Sequence, residues 1–416
     1  MRVRQLAWFA MVLLLPAPLP AQETGTRNDT WLQWDYATGD WNNNRPLIAE
    51  NGVDFIATYT SQVWGNLSGG RKTGGAYVGL LEFGLNVDLE KAIGWHGASF
   101  RTTWILTHGS QPSLSLVGSN FAISGIEGSS SLRALDIWLQ QTFCSDLLAL
   151  RAGLFNADEE FTTSDNAALF QNAGFGWPLL LNGNYADNAP AYPYATPGIY
   201  LAAGRDEGWK FETSFMQGNA YSATANRHNF EWNFNRYDGF FLLNELQYRN
   251  TKWRLPGTYK VGAILDSGYV ADSDGTGEVW GDFVAYAIAD QMLYREEDEG
   301  DEAQGLSWFG RAGLAPPDRG SVNIYVDTGF VYAGPWPGRD NDAAGLGFAW
   351  AQMPASAARH LDGGNAGLEM AFEATYKAQL TPWFSIQPDL QYIVQPGGST
   401  ALGNALVAGL SVSLAF

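Results

Sequence analysis

The chain has 416 residues and a formal net charge of −19, which excludes nucleic acid as a partner because a polyanion repels a polyanion. Its single cysteine, Cys144, excludes an internal disulfide, and no segment approaches the ~20 consecutive apolar residues of a membrane helix. Charged residues make up only 16% and aromatic residues 14%, too little charge for an ordinary soluble domain, where about 25% is usual.

In chain order, Arg2 and Arg4 precede an apolar stretch over 6–15, and Leu19-Pro20-Ala21 offers a cleavage site before Gln22. Residues 1–21 therefore read as a secretory signal peptide. Residues 22–51 read as a periplasmic lead-in. From 52 to 416 the dominant signal is alternation. A period of two places successive side chains on opposite faces of a β-strand. When one face is oily and the other polar, lipid outside and water inside satisfy both. The mean hydropathy of −0.17 hides this pattern, because only every second residue is apolar.

The first strand is expected at 53–64, with Val53, Phe55, Ala57, Tyr59 and Val63 toward lipid and Asp54, Thr58, Thr60 and Gln62 toward the lumen. The second, 76–89, turns Tyr77, Leu81, Phe83, Leu85 and Val87 out and Glu82, Asn86 and Asp88 in. In the third, Phe100, Trp104 and Leu106 oppose Ser99, Arg101 and Thr103. The fourth and fifth, 132–143 and 147–155, join through the tight turn Cys144-Ser145-Asp146, with Arg151 inward. Strands follow at 198–203, 209–217, 240–249, 258–266, 282–292, 306–314, 322–331 and 345–351. The last three are 366–379, 383–391 and 404–416. In the first of these, Leu368, Met370, Phe372, Ala374 and Tyr376 form one row, while Glu369, Glu373, Thr375, Lys377 and Gln379 form the other. The last strand ends on Phe416. The expectation is an all-β fold: a transmembrane antiparallel barrel of about 16 strands, wide enough for an aqueous channel.

The longest connection, 156–197, follows the fifth strand and is the third on the outer side. Phe161, Leu169, Phe170, Phe175, Trp177, Tyr185, Tyr192 and Tyr194 would be poorly placed in water, so the loop is expected to fold into the pore, with a short capped helix over 164–172. The acidic run Glu296, Glu297, Asp298, Glu299, Asp301 and Glu302 lacks the spacing of a calcium loop and reads as a solvated turn. Histidines at 96, 108, 228 and 360 are too scattered for a metal site. Neither a phosphate-binding glycine-lysine loop nor a Gly-x-Ser-x-Gly elbow occurs. No catalytic residue, metal or cofactor is expected, and the chain is not read as an enzyme.

Several short motifs resemble the carbohydrate-selective porin family (OprB-like). They include Gly39-Asp40-Trp41, Arg45-Pro46-Leu47, the run from Trp138 to Phe143, Gly153-Leu154-Phe155, Glu160-Phe161 and Phe170-Gln171-Asn172. Later pieces are Leu255-Pro256-Gly257-Thr258-Tyr259-Lys260, Ala289-Asp290-Gln291, Arg311, Gly338-Arg339-Asp340 and the run from Gln387 to Tyr392. The resemblance implies a Gram-negative outer-membrane channel for passive diffusion of sugars, monosaccharides foremost. Sugars are neutral, so hydrogen-bonding side chains and aromatic faces must select them. The lumen candidates are Glu82, Arg101, Arg151, Glu245, Arg249, Glu373, Lys377, Gln387, Asp389 and Gln391, with Glu159, Glu160 and Trp177 from the long loop. For each charged candidate a plain solvated wall position is the competing assignment, and for Trp177 it is a loop anchor. A general or cation-preferring porin without a sugar site is the alternative function. The partners expected are sugars, outer-membrane lipid and lipopolysaccharide, and the barrel assembly machinery through the strand ending at Phe416. The chain would act as a monomer or trimer.

Overall fold

In the computed structural model, which describes residues 30–185, 190–296, 304–354 and 367–416, the alternating segments become sixteen strands. They are Val53–Gly70 (β1), Gly74–Asp88 (β2), Ala98–Gly109 (β3), Ser131–Phe143 (β4), Leu148–Phe155 (β5), Thr196–Gly204 (β6), Gly208–Gln217 (β7) and Phe240–Asn250 (β8). Gly257–Ala271 (β9), Glu278–Arg295 (β10), Gly305–Leu314 (β11), Ile324–Ala333 (β12), Ala343–Gln352 (β13), Leu368–Thr381 (β14), Phe384–Val394 (β15) and Gly403–Ala415 (β16) complete the set. The expected signal peptide, most of the acidic run after Glu296, His360 and Ala366 lie outside the described residues. No helix among the described residues is long and apolar enough to cross a membrane.

Each strand pairs antiparallel with its chain neighbours, and β1 pairs with β16, so the sheet closes on itself. Closure follows from the solvent: lipid offers no hydrogen-bond partner, so a spanning sheet must have no free edge. Register keeps like with like across the seam, Val63 beside Leu410 and Thr60 beside Ser413. Val63, Leu346, Phe372, Leu390 and Leu410 are exposed on the outer wall, whereas Gln62, Glu373, Asp389, Gln391 and Ser411 are buried on the inner one. Aromatic side chains mark both ends of that wall. Trp209 and Tyr248 meet at 4.9 Å near one rim, and Tyr237 stacks on Tyr269 at 5.4 Å near the other, as expected for girdles at the two interfaces.

The start of β1 and the end of β16 share one rim. The long connections 110–130, 156–195 and 218–239 all lie on the opposite rim, which is therefore the external one. Residues 30–51, the described part of the lead-in, run along the rim that holds the start of β1. Ala37 donates its N–H to the Ala415 carbonyl at 2.9 Å, and Trp31 packs on Trp383 with ring centroids 4.3 Å apart. A short helix, Asn44–Glu50 (α1), then leads into β1.

Two local details depart from simple alternation. Thr103 pairs with Asp136 but Trp104 pairs with Ala134, so Leu135 is the extra residue of a bulge in β4. The bulge shifts the parity, which lets Arg133, Leu135 and Asp136 all be buried. The helix expected over 164–172 is not formed. Ser164 Oγ does accept the Ala167 N–H at 3.1 Å, but only one 3-10 turn, Ala167–Leu169, follows. The loop's polar groups are drawn to the barrel wall instead: the Asn166 N–H is 3.3 Å from Asp290 Oδ1.

Candidate functional site

In the long external connection, described over 156–185 and 190–195, several residues bond to inner-wall side chains of β11, β14 and β15, across the closed sheet from β5 and β6. Its aromatic side chains find their places on glycines. A Cβ added to Gly345 on β13 would lie 2.9 Å from Leu169 and Phe170, and one added to Gly347 would lie 2.8 Å from Phe170 and Phe175. The wall lacks side chains where the loop supplies them. Phe170, Phe175 and Phe309 form a ring cluster there, with centroids 4.7–6.0 Å apart.

Polar wall groups then take up the loop's backbone. The Arg311 guanidinium on β11 donates to the carbonyls of Thr162 (3.0 Å), Gly174 (2.9 Å), Phe175 (2.6 Å) and Gly176 (2.8 Å). Asp327 on β12 holds the same guanidinium, with Nε–Oδ2 at 3.0 Å. Glu373 on β14 accepts the Gln171 and Asn172 N–H groups at 2.6 and 3.0 Å. Gln387 donates to the Leu169 carbonyl at 2.7 Å, and Gln391 accepts from Asn172 at 2.9 Å and donates to Asp389 at 3.0 Å. Glu245 accepts the Thr162 N–H at 3.0 Å and the Tyr286 hydroxyl at 2.8 Å, with Lys260 3.3 Å away. A second connection, 110–130, folds in as well. Ser119 donates to Glu369 at 2.6 Å, Ser124 donates to Gln62 at 2.6 Å, and Gln391 donates to the Ile123 carbonyl at 2.8 Å.

The expected site residues therefore fall into two sets. Glu245, Glu373, Gln387, Asp389 and Gln391 are engaged in holding the loops or each other. Trp177 is buried in the apolar cluster beneath the long loop, and its indole N–H has no partner among the described residues. Lys377 is half-buried opposite Ala343.

The other set lines an open face on β2 to β8. Arg101 keeps 24% of its side chain exposed and Glu159 31%, with Arg101 Nη2 3.6 Å from Glu159 Oε1 and Nε 3.4 Å from Asp136 Oδ2. Glu82 lies within the field of Arg101. Arg151 reaches Glu160 at 2.7 Å and Gln140 at 3.1 Å while its guanidinium covers the Trp138 ring at 4.4 Å. Lys210 pairs with Glu212 at 2.8 Å, and Tyr200 donates to Glu212. Arg249 meets Asp165 at 3.3 Å. A cavity of about 350 Å³ opens here, lined by Gln140, Arg151, Glu160, Tyr200, Lys210 and the periplasmic turns. Cations and carboxylates alternate, and each is partly neutralised by a neighbour. Such a wall offers donors and acceptors without a strong net field. No group of three or more potential metal ligands converges among the described residues.

Asp136, Gln140, Tyr200, Lys210 and Glu212 were not among the expected site residues. The bulge at Leu135 conceals the parity of Asp136; Tyr200, Lys210 and Glu212 occupy ordinary inward positions of short strands and were legible by alternation alone.

A sequence model described as carbohydrate-selective porin, OprB family, matches residues 72–416. The chain belongs to this family. Porin B of Pseudomonas aeruginosa is 28% identical over 440 residues, spanning 95% of this chain and 93% of that protein. The putative porin QuiX of Acinetobacter baylyi is 24% identical, spanning 98% of this chain and 99% of that one. Among solved structures, the high-pH structure of Pseudomonas putida OprB superposes with a TM-score of 0.83 at 23% identity, covering 93% of this chain and 100% of that one. As a carbohydrate-selective porin, the molecule is a channel of the Gram-negative outer membrane rather than an enzyme, and its permeants are carbohydrates.

Proposed function

We propose that the channel passes monosaccharides by passive diffusion along the open face, with residues 156–195 setting the bore. The observation that carries this reading is the pairing of charges there: Arg101 with Glu159 and Asp136, Arg151 with Glu160, Lys210 with Glu212. A neutral sugar exchanges its water shell for such donors and acceptors one hydroxyl at a time, and each contact stays weak enough to release. Arg101, Arg151, Glu159, Glu160 and Glu82 are the contact residues; Glu373, Gln387 and Gln391 position the loop. The chain enters the outer membrane after removal of residues 1–21, through assembly machinery that reads the strand ending at Phe416. It sits among outer-membrane lipid and lipopolysaccharide as a monomer or trimer.

Liposome swelling with a panel of monosaccharides and disaccharides tests this. Monosaccharides should enter fastest, and bilayer conductance should fall as sugar is added. A conductance unaffected by every sugar, with cations favoured over anions, would instead support the general porin to which the net charge of −19 points.

A further inference from the structure

Beneath the β1–β16 seam, the lead-in encloses a cavity of about 410 Å³, lined by Gln33, Trp34, Asp35, Tyr36, Asp40 and Asp54, with Arg45 and α1 behind them. This volume falls in the ~300–1,000 Å³ range of small-molecule clefts. Asp54 shares the parity of Gln62 and Trp64, both buried on the inner wall, whereas Phe55 and Val63 face outward.

The cavity has one feature that a plain vestibule does not need. Trp34 and Tyr36, which line it, are 39% and 38% exposed. Each ring is backed on one side. A Cβ on Gly39 would lie 2.7 Å from the Trp34 ring, so only glycine lets that indole lie flat against the chain. The Arg45 guanidinium lies 3.2 Å from the Tyr36 centroid and is itself fixed by a 2.8 Å bond to the Phe416 carbonyl oxygen. The aromatic faces are thus held in place while their free sides remain solvated. Among the described residues no hydrogen bond reaches the carboxylates of Asp35 and Asp40, and a carboxylate is an acceptor only.

We propose that this cavity is a saccharide subsite at the periplasmic exit, separate from the open face on β2 to β8. One pyranose ring lays its C–H face on Trp34 and donates hydroxyls to Asp35 and Asp40. A flat indole suits the apolar face of a sugar, and carboxylates suit its hydroxyl edge. A channel that hands its permeant between two weak sites empties faster than one with a single strong site. The proposal rests on the carbohydrate passage argued above.

The test is single-channel recording of the full chain in oriented planar bilayers, with D-glucose added to the periplasmic or the external compartment. In the unaltered protein, current interruptions should resolve into two kinetic components, one favoured by periplasmic addition. Trp34→Ala should weaken that component about tenfold, the scale of one lost stacking face plus its buried area, and leave the other intact. Asp35→Asn, which keeps the cavity's shape, should weaken the same component less and covers the case that Trp34→Ala fails to assemble. Two components that persist unchanged in both variants would overturn the subsite while leaving carbohydrate passage standing. A complete lack of interruptions in the unaltered protein would overturn both.

Discussion

Replacing Arg311 with Met should release the long loop from the lumen. The guanidinium satisfies four loop carbonyls and the carboxylate of Asp327, and only 3% of the residue is exposed. A buried acceptor left unpaired costs about 1–3 kcal/mol. Breaking a buried ion pair by removing one partner costs about 3–5 kcal/mol. In the docked state the variant meets both costs; with the loop swung outward, water serves the carbonyls. Even a ~3 kcal/mol shift moves the docked–undocked equilibrium more than a hundredfold. The barrel should survive, because no ladder hydrogen bond involves the side chain. Single-channel conductance should therefore rise and sugar-induced block should fade, while heat-dependent gel migration still reports a folded barrel. Arg311→Lys should be intermediate, since one ammonium cannot reproduce the planar fork. A folded Arg311→Met channel with unchanged conductance and unchanged block would refute the idea that this hub holds the constriction.

Four further outcomes are expected. Gly347→Val forces side-chain atoms into the space of Phe170 and Phe175; overpacking of about 1–3 kcal/mol should loosen the same loop and expose residues 156–195 to added protease. Arg151→Gln removes the partner of Glu160 in the long loop and a buried cation over the Trp138 ring, so sugar block should weaken and the thermal unfolding midpoint should fall. Leu346→Arg on the lipid-facing row, a position 65% exposed, should cost about 2–4 kcal/mol near the bilayer midplane, measurable as a lower urea midpoint for refolding into lipid. In the periplasmic turn after β2, Glu90 lies 2.8 Å from His96 and holds its pKa above the usual 6.5. The raised value means this ion pair is fully formed below pH 6.5 and is lost as pH rises through the folded-state value; an NMR titration should show the high midpoint, and Glu90→Gln should bring it back down.

The wall was legible because a strand in a bilayer has two solvents. Phe372 and Glu373 are neighbours in sequence, and their fates, lipid and lumen, follow from alternation alone. What alternation cannot separate is Glu82 from Glu373. Both are carboxylates at inward positions, yet one remains on the open face beside Arg101 and the other is spent on two loop N–H groups. That difference depends on where residues 156–195 come to rest, a contact across some two hundred residues of chain. The missing helix over 164–172 has the same origin, since the Asn166 N–H and the Ser164 hydroxyl are drawn to Asp290 on the wall and Gln171 and Asn172 to Glu373. The inward fold of the second loop has a sequence signal of its own: Phe121 and Ile123 are apolar residues in a connection that should otherwise be wet, and both are buried.

The separation of tasks on the inner wall explains why so polar a lumen can still be specific. Residues that face the loops are satisfied by backbone groups, whose positions are fixed by the barrel, so they confer shape. On the open face Arg101 and Arg151 reach two carboxylates of the long loop, Glu159 at 3.6 Å and Glu160 at 2.7 Å, which keep 31% and 20% of their side chains exposed. Arg101 and Glu159 are partly exposed on both sides and form a pair that contributes little to stability, about 0–1 kcal/mol. They are therefore free to exchange partners with a passing hydroxyl at small cost. Substitutions at Arg311 or Glu373 should change bore and sugar discrimination together, whereas those at the partly exposed Arg101–Glu159 pair should change discrimination alone. A variant such as Glu159→Gln that enlarged the bore without altering sugar block would show that the two sets are not independent.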